Sequence, residues 1–177
     1  MFQANSPVHI MVDIETLDTD RTAVILSIGA VTIPSMLGNE FKSFYVECYE
    51  YKQYERTASQ DTINWWAKQP SGLMPKGTIL LTEALKEFKL WIEQQRAEPI
   101  MWCKGTDFDT AILAHAFQQY KIPVPWKYNA IRDVRTLEKI LSVASQKNEN
   151  PHNALADALH QSRKLQQIML EYNLVLA

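Results

Sequence analysis

From Val8 to Glu15 the chain alternates without a break. Val8, Ile10, Val12 and Ile14 are interleaved with His9, Met11, Asp13 and Glu15. A period of two over eight residues marks a β-strand, whose successive side chains point to opposite faces. The next segment, Thr22–Ile33 (TAVILSIGAVTI), is rich in β-branched residues and reads as a largely buried strand ended by Pro34. Gly29 inside it predicts close approach by another backbone, or a bulge. After a turn at Met36–Asn39, Phe41–Cys48 supplies a third strand. Short connections make the three an antiparallel meander.

Beyond Cys48 the period changes. Tyr49–Thr57 reads as a loop, and Ser59–Lys68 (SQDTINWWAK) as a short helix capped by Ser59. Pro70, Gly72, Pro75 and Gly77 put a loop at Gln69–Gly77. Thr82 is the expected cap of a helix through Gln95, with Leu81, Leu85, Phe88 and Ile92 on one stripe. Ile100–Cys103 is a short buried strand, and Phe108, Ile112, Ala116, Phe117 and Tyr120 mark one face of a helix. Pro123 and Pro125 interrupt the chain. Asp133–Val143 reads as helical, Asn148–Pro151 as a loop, and Asn153 as the cap of a last helix. That helix carries Leu155, Leu159, Ser162, Leu165 and Met169 on one stripe. The order predicts an α/β fold, a mixed sheet covered by helices. At 177 residues, 1–177 is expected to form one domain.

Eighteen Lys and Arg against twenty Asp and Glu leave a net charge of −2. That balance argues against a protein that grips long nucleic acid by bulk positive charge. Cys48 and Cys103 lie in apolar stretches without a CxxC motif, which predicts buried free thiols in a reducing compartment. The first residues show no basic region followed by an apolar run, and no segment approaches ~18 consecutive apolar residues. The expectation is a soluble, cytoplasmic protein with no membrane partner. Only five glycines occur, none two apart, so a GxGxxG fingerprint is impossible. Gly72 and Gly77 have P-loop spacing, but Thr78 stands where the lysine belongs. GxSxG and HExxH are absent too.

What remains is a set of acids. Asp13 and Glu15 share one strand face about 7 Å apart, and repel unless a cation or proton joins them. The alternative, a strand end with solvated acids, stays open for this pair alone. Asp107 and Asp109 stand where a helix follows the strand Ile100–Cys103, and either one can serve simply as a cap. His152 lies in a loop, and Asp157 about one turn into the last helix, flanked by Ala156 and Ala158. Each segment alone has an ordinary explanation. Together they offer four carboxylates and a histidine at strand ends and helix starts. Hard oxygen ligands suit Mg²⁺ or Mn²⁺, and two such ions about 4 Å apart form a phosphoryl-transfer clamp. A neutral histidine nearby can take a proton from water.

The ordered set resembles the DEDDh group of 3′–5′ exonucleases, the superfamily of the proofreading subunit of bacterial DNA polymerase III and of ribonuclease T. The DxE motif matches Asp13 and Glu15, the FD pair Phe108 and Asp109, and H-x4-D His152 and Asp157. SIGAV (Ser27–Val31) and DTINWW (Asp61–Trp66) are similar to a narrower subgroup that includes phage exodeoxyribonuclease A and a mycobacterial exoribonuclease. The resemblance implies an RNase H-like fold and a two-metal active site. Asp13, Glu15 and Asp157 would hold the first Mg²⁺ or Mn²⁺, Asp13 and Asp109 the second, and His152 would be the general base. Two such ions would move the formal total from −2 to +2. Leu17 and Asp18 follow Thr16 where the commoner motif reads DxETTG, so the backbone facing the nucleotide departs from the pattern there.

Thr16, Leu17 and Phe108 are the expected neighbours of the terminal nucleotide, with Leu17 as a wedge. Trp65 and Trp66 cannot face the same way on one helix. One is expected in the core and the other, with Asn64, beside the site, where a base can stack; the alternative places both in the core or a dimer interface. Arg56 is a candidate for a phosphate. Lys127, Arg132, Arg135, Lys139 and Lys147 form a mildly basic stretch that either guides a strand or is a solvated face. The resulting expectation is release of nucleoside 5′-monophosphates from the 3′ end of single-stranded DNA or RNA. An endonuclease or recombination enzyme on the same fold, and an inactive binding module, are the rivals. The subgroup resemblance leaves a homodimer open.

Overall fold

The protein is represented by a computed structural model that describes residues 6–34, 40–143, 148 and 150–176. The expected turn at Met36–Asn39 and the candidate Lys147 lie outside the described residues. Among the described residues five strands form one sheet: β1 (Val8–Thr16), β2 (Ile25–Thr32), β3 (Ser43–Glu47), β4 (Pro99–Cys103) and β5 (Ile131–Asp133), in the order β3-β2-β1-β4-β5. The first three are the antiparallel meander read from the sequence. β4 joins β1 in parallel, and β5 joins β4 in parallel. Among the described residues five α-helices accompany the sheet: α1 (Gln60–Ala67), α2 (Leu81–Glu93), α3 (Asp109–Gln119), α4 (Val134–Ile140) and α5 (Ala154–Glu171).

Side-chain parity in β1 decides what lies where. Ile10, Val12 and Ile14 enter a core built with Leu85, Phe88 and Ile92 of α2 and Ile112, Leu113 and Phe117 of α3. Met11 enters a second core on the opposite face, with Val134 of α4 and Ala158 and Leu165 of α5. Asp13 and Glu15 have the parity of Met11, so they continue the α5 face past the apolar core. β2 is buried along its whole length, as a central strand covered on both faces must be.

Three local differences from the sequence reading have physical causes. β5 is only three residues long and precedes α4, where a helix was expected from Asp133 onward. So short a strand shows no period, and pairing with Met101–Cys103 defines it. Asp133 instead caps α4, accepting from Arg135 N. α2 begins two residues earlier than expected, at Leu81. Leu80 is its cap residue, and its N–H donates to the Glu83 carboxylate at 3.4 Å, so Thr82 lies inside the first turn. The loop after β3 contains a 3₁₀ turn at Glu50–Lys52. Ser59 and Asn153 cap α1 and α5 as read, accepting from Thr62 N at 3.2 Å and Ala156 N at 3.0 Å. Both cysteines are buried free thiols, and burial pushes each up to about 12. Among the described residues, no helix is long and apolar enough to cross a membrane.

Candidate active site

The site forms where the C-terminal end of β1 meets the first turns of α3 and α5. In the sheet register Asp13 stands beside Gly29 and Glu15 beside Ser27. Gly29 is the reason α5 comes so close. A Cβ there would lie 2.2 Å from Ala154 C and Leu155 N, inside the helix backbone. The absence of that atom lets the start of α5 lie on β2, which brings Asp157 over β1. Ligand oxygens of Asp13, Glu15 and Asp157 all lie within 4.8 Å of one another.

Asp109 approaches from the start of α3. The pairing of β1 with β4 ends at Met11 and Trp102, and further along Ile14 N donates to Asp109 Oδ1 at 3.1 Å. Asp109 is only 4% exposed, whereas Asp107 faces solvent, which settles which aspartate reaches the acids. Two further ties fix the carboxylates. Gln161 Nε2 donates to Asp13 Oδ1 at 2.8 Å. Asp157 accepts from His152 N at 2.8 Å and from Asn148 Nδ2 at 2.7 Å.

Burial and mutual repulsion dominate the electrostatics. Burial, then the charges of Asp109, Glu15 and Asp157, hold the Asp13 carboxyl well above the usual range. Burial raises Glu15 to about 8, with added repulsion from Asp157 and Asp109. Burial also raises Asp109 to about 7, against the pull of the Ile14 N–H and of Arg135. None of the ion pairs among the described residues involves these four acids. A cluster of buried and half-buried carboxylates with no ion-pair partner is a cation site or a proton trap.

His152 sits just before the α5 cap with φ +67°, the left-handed region, where non-glycine residues are uncommon. Its ring lies 4.6 Å from that of Trp65, edge to face, and 6.5 Å from that of Trp66. The two tryptophans do diverge. Trp66 is buried with Leu17, Val24 and Leu26 and donates from Nε1 to Thr16 O at 2.9 Å, while Trp65 is 38% exposed. A cleft of about 370 Å³ opens between Glu15, Thr16, Asp61, Thr62, Trp65 and Phe108. A second, of about 680 Å³, lies along His152, Asn153, Gln69 and Leu73.

Several candidates occupy places other than those expected. Leu17 is 8% exposed and packs beneath Trp66, so its side chain belongs to the core rather than to a wedge. The Thr16 hydroxyl donates to Asp18 O at 2.6 Å, although Thr16 still lines the smaller cleft. Asn64 is exposed and accepts from Gln60 Nε2. One residue from Trp65 is a turn of about 100° on a helix, and only Asp61, Thr62 and Trp65, at i, i+1 and i+4, share the cleft side with Trp66. Arg56 is occupied by Ala23 O at 2.7 Å, Gln119 Oε1 at 2.9 Å and Arg21 O at 3.4 Å, so it ties a loop to the segment before β2 and to α3. In the basic stretch, Lys127 pairs with Glu98 at 2.6 Å and Arg135 donates to Lys104 O at 2.7 Å. Gln161 escaped the sequence reading. Its one signal is the i+4 spacing from Asp157 on the same helix face.

The fold has solved counterparts. The nuclease domain of 3′hExo, a DEDDh family member bound to rAMP, superposes with a TM-score of 0.66 at 11% identity, covering 99% of this chain and 98% of that one. E. coli exonuclease I in a zinc-bound complex with single-stranded DNA gives 0.62 at 14% identity over 96% of this chain. Exonuclease I of Methylocaldum szegediense gives 0.65 at 13% identity over 94% of this chain. The chain spans 42% of the E. coli exonuclease I chain and 41% of the M. szegediense chain. These likenesses establish the α/β architecture as the RNase H-like fold of DEDDh exonucleases. Among curated proteins no relative matches by sequence. The sequence does match a family description over residues 8–169, nearly its whole length and including every acid of the cluster and His152: the chain belongs to the Rv2179c-like 3′–5′ exoribonuclease domain family.

Proposed function

We propose that the protein is a divalent-metal-dependent 3′–5′ exonuclease that releases nucleoside 5′-monophosphates from a single-stranded 3′ end. The observation that carries this reading is the acid cluster that no ion pair among the described residues neutralises, three of whose carboxylates converge within 4.8 Å. The donor set fits Mg²⁺ or Mn²⁺: it is all hard oxygen, without a thiolate, and mutual repulsion gives it a reason to take cations. Asp13, Glu15 and Asp157 would hold one ion, and Asp13 with Asp109 a second. Bound there, such ions lower the pKa of water and offset charge on a leaving oxygen.

The chain's own residues account for the rest. His152 accepts the proton of the attacking water at its imidazole. Gln161 fixes one oxygen of Asp13, leaving the other free to turn toward a ligand. The smaller cleft, with Phe108 and Trp65 on its walls, receives the terminal nucleoside. Trp66 and Leu17 exclude water beneath it. Membership of an exoribonuclease family favours RNA as the first substrate to test.

The decisive assay uses matched single strands of RNA and DNA labelled at the 5′ or the 3′ end, with Mg²⁺ or Mn²⁺. A 3′ label is expected to appear at once as mononucleotide, and a 5′ label as a ladder that shortens with time. A circular strand stays intact. Cutting of the circle would make the protein an endonuclease, and no degradation of any strand would make it a binding module. His152→Ala is expected to lower kcat by about 10²–10⁴ while Mn²⁺ binding by calorimetry persists. Loss of that binding would make His152 a ligand instead of a base.

A further inference from the structure

Among the described residues, the His152 ring has no hydrogen-bond partner to orient it. Among the described residues, no hydrogen bond reaches either imidazole nitrogen; the residue's hydrogen bond runs from its backbone N–H to Asp157. Histidine bases are ordinarily aligned by a third group bonded to the ring. Here the ring lies in the corner of two indoles, nearest to Trp65 at 4.6 Å and edge-on at 80°. The indoles are themselves square to each other, with centroids 5.0 Å apart.

The platform beneath that corner is rigid and shared with the acids. Ser59 N donates to Leu17 O at 2.8 Å, and Trp66 Nε1 donates to Thr16 O at 2.9 Å. Both bonds pin α1 to the backbone immediately after Glu15. Trp65 is therefore presented in the frame of β1, while His152 arrives on a different loop with a left-handed backbone that local preference does not fix. We infer that Trp65 is a positioning residue, whose indole holds the His152 imidazole at its working distance from the carboxylates. An aromatic edge-to-face pair is worth about 0.5–1.5 kcal/mol, enough to bias one ring orientation over others. The inference deepens the exonuclease reading and rests on it for the role of His152. It replaces base stacking as the main task of Trp65.

The two tasks separate on a substrate without a base. Trp65→Ala is expected to lower kcat by about 10–100-fold, the scale of an ångström-sized misplacement. The loss appears both on an oligonucleotide and on bis(p-nitrophenyl) phosphate, and Trp65→Phe restores most of it. Added to His152→Ala, Trp65→Ala costs nothing more, because the two act as a unit. In the metal-free protein, the His152 ring proton resonances, assigned by their absence in His152→Ala, move toward free-histidine positions in Trp65→Ala. A loss confined to KM on the oligonucleotide, with turnover of the nitrophenyl diester unchanged, would overturn the inference in favour of stacking. Unmoved His152 resonances would overturn it as well. A native protein without phosphodiesterase activity would refute the exonuclease reading, and the resonance measurement would still decide whether Trp65 holds the ring.

Discussion

Without divalent ions, Asp13→Asn is expected to melt higher than the native protein, and with them to show no turnover. The native carboxylate is buried among three others, and burial and repulsion both disfavour its charge. The asparagine is isosteric and keeps an oxygen to accept from Gln161, so the substitution removes charge and little else. Each pKa unit of strain relieved is worth about 1.4 kcal/mol, or about 3–6 °C in a chain of this size. The order should invert on adding Mn²⁺, because only the native cluster gains from the ion. The sign with pH follows from the same groups. Glu15 rises from 4.5 to about 8 and Asp109 from 3.8 to about 7, so the folded state binds more protons than the unfolded chain. Stability of the metal-free protein then falls as pH climbs from about 4 to about 8, and the fall is shallower in Asp13→Asn. Thermal melts in chelator at pH 5 and pH 8 test both statements. A variant that melts below the native protein at pH 8 would show that the acids are not strained.

Gly29→Ala is the second large effect, and it acts on fold and site together. The new Cβ would meet Ala154 C and Leu155 N at 2.2 Å and Ala154 O at 2.5 Å. These are backbone atoms, which no rotamer change can move aside. α5 must lift from β2, carrying Asp157 and the His152 loop with it. Overpacking of this kind costs about 1–3 kcal/mol, and displacing a reacting group by about 1 Å costs about 10² in rate. Calorimetry should record weaker Mn²⁺ binding, since Asp157 leaves the other two ligands. Gly72→Ala is the control for the site: nothing lies within 4 Å of its Cβ position, so its backbone strain at φ +87° lowers melting while Mn²⁺ affinity stays native. Native-like melting and Mn²⁺ affinity in Gly29→Ala would mean that α5 has slack the geometry does not show.

The sequence carried the fold wherever a period was long enough to repeat. β1 announced itself and its acids together, because one alternation placed both the core and the site. The stripe of α2 and the caps of α1 and α5 were legible for the same reason, being local chemistry. β5 was not, since three residues contain one alternation and the strand exists only through its pairing with β4. The acids and His152 were legible as an ordered set of motifs. Their supports were harder to read. Gln161 looks like any polar helix residue until Asp13 is seen opposite it, and Gly29 disclosed a close approach without saying whose. Leu17 and Arg56 are engaged by Trp66 and Gln119, partners brought by packing that no motif records, and Asn64 by Gln60 one helical turn away.

The parity of β1 also bears on how such a chain can evolve. Met11, Asp13 and Glu15 share a face only because one residue separates each from the next. A single codon inserted between Met11 and Asp13 would turn both acids into the apolar core of α2 and α3 and bring Ile14 to the site. Insertions at the exposed Pro70–Gly72 turn lie outside every strand and shift no register. Descendants of this sequence can therefore vary in length at that turn, while the spacing from Val8 to Glu15 is frozen to the residue.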